Sequence, residues 1–261
     1  MPYSRYVAVG DSQTEGLGDG DEIRGYRGWA DRFAEELARV NPGLQYANLA
    51  VRGRLAAQIR DEQLAPALAL RPDLVTVMGG VNDLIRRRFD AAQVAGCLED
   101  MFAAFTVAGA HVVTFTFPDL TRTTRAARPL RARLLELNAR IRATADRHGV
   151  TIVDTFPHTV TTDPRLWSTD RLHASPLGHT RMAAALAHTL DLPGSDPDWT
   201  SPLPPLPPRS GLHSAGTELR WISSFVGPWI YRRLRGRSSG DGRTAKRPAL
   251  APVTVRRASQ E

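Results

Sequence analysis

Four short segments carry residue types that together can run nucleophilic chemistry at a carbonyl. Gly10-Asp11-Ser12 closes an apolar run. A serine at such a strand-to-helix turn is exposed at a sheet edge, where its own N–H can point at a developing oxyanion. A free hydroxyl is a weak nucleophile, so Ser12 needs a base. His173 can be that base. Asp170 precedes it by three residues, so both side chains can lie on one face of a single turn. The carboxylate can then accept from the imidazole, fix its tautomer and stabilise the imidazolium. Gly53 lacks a Cβ and can bring its backbone N–H close to substrate. The Asn82 amide, in Gly79-Gly80-Val81-Asn82-Asp83, can supply a third, neutral donor. Three preorganised donors suit a tetrahedral oxyanion, and losing one typically costs about 10²–10³ in rate. The candidate set is Ser12, Asp170 and His173 as catalytic groups, with Ser12, Gly53 and Asn82 as the oxyanion hole. Its chemistry is acyl transfer.

The elements between these segments must position them. Short apolar runs alternate with amphipathic stretches: strands over 6–9, 45–51, 73–78, 111–117 and 150–153, and helices over 25–40, 55–70, 90–108, 128–148 and 176–190. The helix over 55–70 is expected to be interrupted by Pro66. Apolar, β-branched runs between helices suggest parallel strands buried on both faces. The alternation therefore predicts an α/β fold, a flavodoxin-like three-layer α/β/α sandwich with about five parallel strands. Ligand sites in such sheets lie outside the carboxyl ends of the strands, where the four segments fall.

In that order and placement the segments resemble the four blocks of the SGNH hydrolases, the GDSL-type esterases and lipases. GDSQTEG at 10–16 is similar to the nucleophile block, with Gln13 where the name-giving pattern has leucine. Gly53 in NLAVRG, GGVND at 79–83 and DRLH at 170–173 are similar to the glycine, GxND and DxxH blocks. The resemblance spans about residues 3–190. It implies hydrolysis of carboxylic esters by a serine hydrolase, on a small-molecule substrate, with no metal and no organic cofactor. Thioester cleavage or acyl transfer on the same triad is the alternative within the chemistry. A non-catalytic lipid- or partner-binding module is the alternative outside it. The G-x-S-x-G elbow of the rival α/β-hydrolase fold is absent.

Each residue also has a plainer reading. Ser12 and Asn82 can cap helices, Gly53 can serve a turn, and Asp11 and Asp83 can bond within their own loops. His179 reads as packing or surface, and Cys97 as a buried, inert thiol. The run from Gly16 to Asp21 does not fit G-x-G-x-x-G, and Asp19, Asp21 and Glu22 lack the EF-hand spacing. Arg122, Arg125 and Arg128 read as solvated charges near the site.

The single cysteine among 261 residues excludes an intramolecular disulfide framework. The opening MPYSRYVAVG has no basic or long apolar leader, so a cytoplasmic location is expected. The net charge of +7 is uneven: residues 1–200 sum to −1 and residues 201–261 to +8. Polyanion arguments therefore concern the last sixty residues, which hold no recognised nucleic-acid reading motif. The expected organisation is a catalytic domain over 1–192, a proline-rich linker over 193–211 and a basic tail over 212–261. Within the tail, Trp221, Phe225, Trp229 and Leu234, flanked by arginines, form an apolar stripe. Such a stripe fits peripheral contact with an anionic membrane, here the inner face. Residues 236–261 are expected to be disordered. The oligomeric state stays open.

Overall fold

The computed structural model describes residues 3–122, 125–205 and 239–255. Six strands form the main sheet: β1 (Arg5–Gly10), β4 (Gln45–Asn48), β5 (Leu74–Met78), β6 (His111–Phe115), β7 (Thr151–Val153) and β8 (Arg247–Pro252). Their order is β7-β6-β5-β1-β4-β8. All neighbours are parallel except β8, which runs antiparallel to β4. Every residue of β5, Leu-Val-Thr-Val-Met, is buried, as expected for a β-branched strand covered on both faces.

Helices α2 (Trp29–Val40) and α7 (Pro176–Thr189) pack together. Helices α3 (Ala56–Ala69) and α6 (Arg131–Arg147) flank α5 (Ala91–Val107), giving the sandwich its second helical layer. Tyr6, Trp29, Phe33, Phe102, Phe105 and Phe115 are fully buried in one continuous core, and Cys97 is buried beside it. Two short helices lie at strand ends: α1 (Ser12–Glu15) after β1 and α4 (Val81–Leu84) after β5.

Several expected boundaries move, each for a local reason. Pro66 lies inside α3 instead of interrupting it. α2 begins at Trp29, because Gly25–Tyr26 forms β3 and pairs antiparallel with β2 (Gly20–Asp21). The Asp31 carboxylate then closes the start of α2 by accepting from Gly28 N at 2.9 Å. β4 stops at Asn48, whose buried side-chain amide donates to Thr14 O and Tyr46 Oη, although Leu49 N still donates to Ala8 O at 2.9 Å. α6 begins at Arg131, after a 3₁₀ turn over Arg125–Leu130 that contains Pro129.

The largest correction is at the C-terminal end. Disorder is expected over 236–261, yet residues 247–252 form β8, a sixth and antiparallel strand, with Tyr46 opposite Ala251 and Asn48 opposite Arg247. The sheet edge explains it. Without β8, β4 would leave a row of unpaired backbone groups. Pro248 and Pro252 suit an edge strand, where a missing N–H faces outward. The start of the proline-rich run also docks: Trp199 is buried with its ring 4.6 Å from that of His158, and Arg165 donates to Pro204 O at 2.7 Å. The apolar stripe over 221–234 lies outside the described residues. Among the described residues, no helix is long and apolar enough to cross a membrane.

Candidate active site

The site forms where the carboxyl ends of β1 and β5 meet the loop after β4 and the turn before α7. Asp11 caps α1, accepting from Gln13 N at 3.2 Å, and this places Ser12 on the first turn. Ser12 Oγ lies 3.0 Å from His173 Nε2, and His173 Nδ1 lies 2.6 Å from Asp170 Oδ2. With Nδ1–H donating to Asp170, Nε2 is left to accept the Ser12 hydroxyl proton. Three residues separated by up to 161 positions thus form one unbroken hydrogen-bonded line.

Asp170 is heavily supplied with donors. Oδ1 accepts from Ser168 Oγ at 2.6 Å, Leu172 N at 2.9 Å and His173 N at 3.0 Å. Burial pushes this carboxyl up, but the His173 hydrogen bond and charge, with the Ser168 hydroxyl, hold it well below the usual carboxylate range. It is ionised at any working pH.

Gly53 follows β4 with φ +74°, a left-handed conformation that favours glycine. Its loop is anchored by a buried ion pair. Arg52 N donates to Glu15 Oε2 at 2.7 Å, and the Arg52 guanidinium grips the same carboxylate as well as Glu22. Asn82 stands on α4, and its Nδ2 donates to Asp11 Oδ2 and Arg54 O, both at 3.1 Å. An oxyanion accepting from Asn82 must share or displace one of these partners. Asp11 is thus bonded beyond its own loop. Asp83 accepts from Ala56 N at 3.0 Å, a structural role across to α3.

The remaining candidates lie apart from the line. His179 is fully buried, accepting from Trp29 N at 3.1 Å and donating to Leu17 O at 3.0 Å, and burial pushes it down to about 4. Arg122 pairs with Asp119 at 3.7 Å, and Arg128 is exposed. Among the described residues, no three His, Cys, Asp or Glu side chains gather as a metal would need.

Three supporting residues escape a sequence reading. Gln13 donates to Leu172 O at 2.7 Å and accepts from Ala174 N at 3.2 Å, bracketing His173 on both sides. Gln63 makes the same two-point contact with Gly10 N and O, both at 2.9 Å, steadying the end of β1. Ser168 supplies the shortest Oδ1 bond to Asp170. Only Gln13 carried a signal, as a polar residue where leucine was expected. Gln13, Leu172 and Ala174 also line a mainly apolar cavity, with Met78, Phe117 and Met182 among its other walls.

Residues 8–181 match the family model described as the GDSL-like Lipase/Acylhydrolase family. Among solved structures, the chain is similar to an α/β hydrolase enzyme from the metagenome of Lake Arreo in Spain. That match has 22% identity and a TM-score of 0.61, over 72% of this chain and 95% of that one. It is similar to an acetyl xylan esterase from Geobacillus stearothermophilus at 19% identity and a TM-score of 0.62, over 72% and 95%. It is also similar to the lipase/acylhydrolase from Enterococcus faecalis at 21% identity and a TM-score of 0.58, over 72% and 95%. At such identities the shared feature is the fold. No curated protein matches the sequence.

Proposed function

The chain belongs to the GDSL-like lipase/acylhydrolase family, and from that premise we propose that it cleaves carboxylic esters through an acyl-enzyme on Ser12. The observation that carries the reading is the Ser12–His173–Asp170 line of hydrogen bonds.

His173 Nε2 takes the Ser12 proton as Oγ attacks the ester carbonyl carbon, and the carbonyl π electrons move to oxygen. The oxyanion is met by the N–H groups of Ser12 and Gly53 and by Asn82 Nδ2. Asp170 stays ionised and stabilises the imidazolium. Nε2–H then protonates the leaving alcohol as the carbon–oxygen bond breaks. In the second half, Nε2 deprotonates a water, which attacks the acyl carbon. The acid leaves and the proton returns to Ser12.

A panel of p-nitrophenyl esters from acetyl to palmitoyl tests this. Ser12→Ala and His173→Ala should each lower kcat by about 10⁶-fold, as for triad members that act as a unit. A fluorophosphonate should label wild type and not Ser12→Ala. Wild type that hydrolyses no ester and takes no Ser12-dependent label would overturn the proposal.

A further inference from the structure

Residues 239–255 lie beyond the stretch that matches the family, yet they touch the parts that hold the oxyanion loop. Lys246 is the only lysine in a chain with 34 basic residues. Its ammonium donates to Glu15 O at 2.5 Å, Tyr26 O at 3.0 Å and Asp31 Oδ2 at 2.5 Å. These acceptors belong to the end of α1, to β3 and to the first turn of α2. Three acceptors around one point suit an ammonium with three rotatable donors, and a planar guanidinium cannot match them equally.

The contact reaches the site in two ways. Lys246 holds the backbone of Glu15, whose carboxylate in turn holds Arg52 N and its guanidinium. The turn before β8 presses on the same loop, and a Cβ at Gly240 would run into Arg52 O. Outside this, Arg243 pairs with Glu22, which also pairs with Arg52. Arg52, the residue that precedes Gly53, is thus held from the α1 side and closely approached from the C-terminal side.

We propose that residues 239–255 are a strap that positions the Gly53 loop, with Lys246 as its anchor and Gly240 as its point of contact. The proposal rests on reading Gly53 N–H as an oxyanion donor. Lys246 is a positioning residue, acting on the transition state through the loop. Its loss should therefore lower kcat and leave KM nearly unchanged, since the oxyanion exists only past the ground state.

The test uses the full chain and p-nitrophenyl butyrate, with kcat expressed per fluorophosphonate-titrated Ser12. Unfolding removes titratable sites and leaves kcat per site intact, whereas misplacement lowers kcat per site. Lys246→Met and Gly240→Val should each lower kcat per site by about tenfold, with KM within about twofold, a partial loss of one donor. Lys246→Arg should recover part of the Lys246→Met loss. Unchanged kcat per site in both variants, or an effect on KM alone, overturns the strap. Gly53→Pro, which removes the N–H, is the control for the premise. If wild type is active and Gly53→Pro leaves kcat per site unchanged, the oxyanion reading fails and the strap with it. If wild type itself hydrolyses no ester, the proposed function is what has failed.

Discussion

Two turns meet at the Ser12–His173 hydrogen bond, and each holds an aspartate beside it, Asp11 buried and Asp170 half-buried. Asp11 is almost fully buried and accepts two hydrogen bonds, from Gln13 N and Asn82 Nδ2. Burial outweighs them, together with the charge of His173, and pushes its carboxyl up to about 7. Asp170 accepts at least four, two of them from His173, and stays well below the usual range. The same side chain thus meets opposite fates a few ångströms from one reaction centre. Desolvation favours the neutral acid; at Asp170 partial exposure lessens it and a dense set of donors reverses it. A carboxylate that must face an imidazolium needs that donor set. Asp11 lacks it and suits a capping role.

The contrast can be broken most forcefully at Asp170. Asp170→Asn should lower kcat about 10⁴-fold while the protein stays folded, because the amide favours the wrong imidazole tautomer. A loss under tenfold would mean that His173 does not depend on this partner. Next is Asn82→Ala, which removes the proposed oxyanion donor and one of the two donors to Asp11. It should lower kcat about 10²–10³-fold and raise the Asp11 pKa further. Carboxyl ¹³C titration follows both acids directly. Asp11 should titrate near pH 7, and Asp170 should show no titration from pH 4 to 9. Two midpoints near the usual carboxylate value would erase the difference.

Smaller effects sharpen the picture. Ser168→Ala removes one donor to Asp170 and should cost about 1.5 kcal/mol of stability at pH 7, read by denaturant unfolding. The gap should close as pH falls and Asp170 is protonated, since a depressed carboxylate contributes in full above its unfolded pKa and loses that contribution as pH falls toward its folded one. His179 has the opposite chemistry with the same sign. It is neutral in the fold down to about pH 4 and accepts a proton near 6.5 when unfolded, so its contribution is lost as pH falls from about 6.5 to 4. The difference in melting temperature between wild type and His179→Gln should narrow across that window. A constant difference would mean that the buried ring does not titrate.

Much of this was legible in the sequence. The apolar runs at 6–9, 73–78 and 111–117 were short, β-branched and bounded by Gly or Pro, and they became β1, β5 and β6. The sandwich followed from their alternation with helices. Ser12, His173 and Asp170 carried local signals of type and spacing, and the fold draws them into one hydrogen-bonded line. Gln63, by contrast, looks like any polar residue on a helix, and its role depends on Gly10, 53 positions away. β8 was missed for a related reason. RPALAP has two prolines and basic neighbours, which reads as a solvated tail until an open sheet edge stands opposite.

The charge of the last sixty residues shows where the division falls. The sequence alone located the excess and separated it from a nearly neutral catalytic stretch, because formal charge is a sum over residue types. It also determined which residues could do the chemistry, because nucleophile, base and turn glycine announce themselves by type. Only the tertiary structure decided that Lys246 and Arg243 face Asp31 and Glu22, and that one aspartate at the site is held ionised and the other is not. The two ion pairs join residues more than two hundred positions apart, and the two aspartates differ in burial, neither of which a local pattern records.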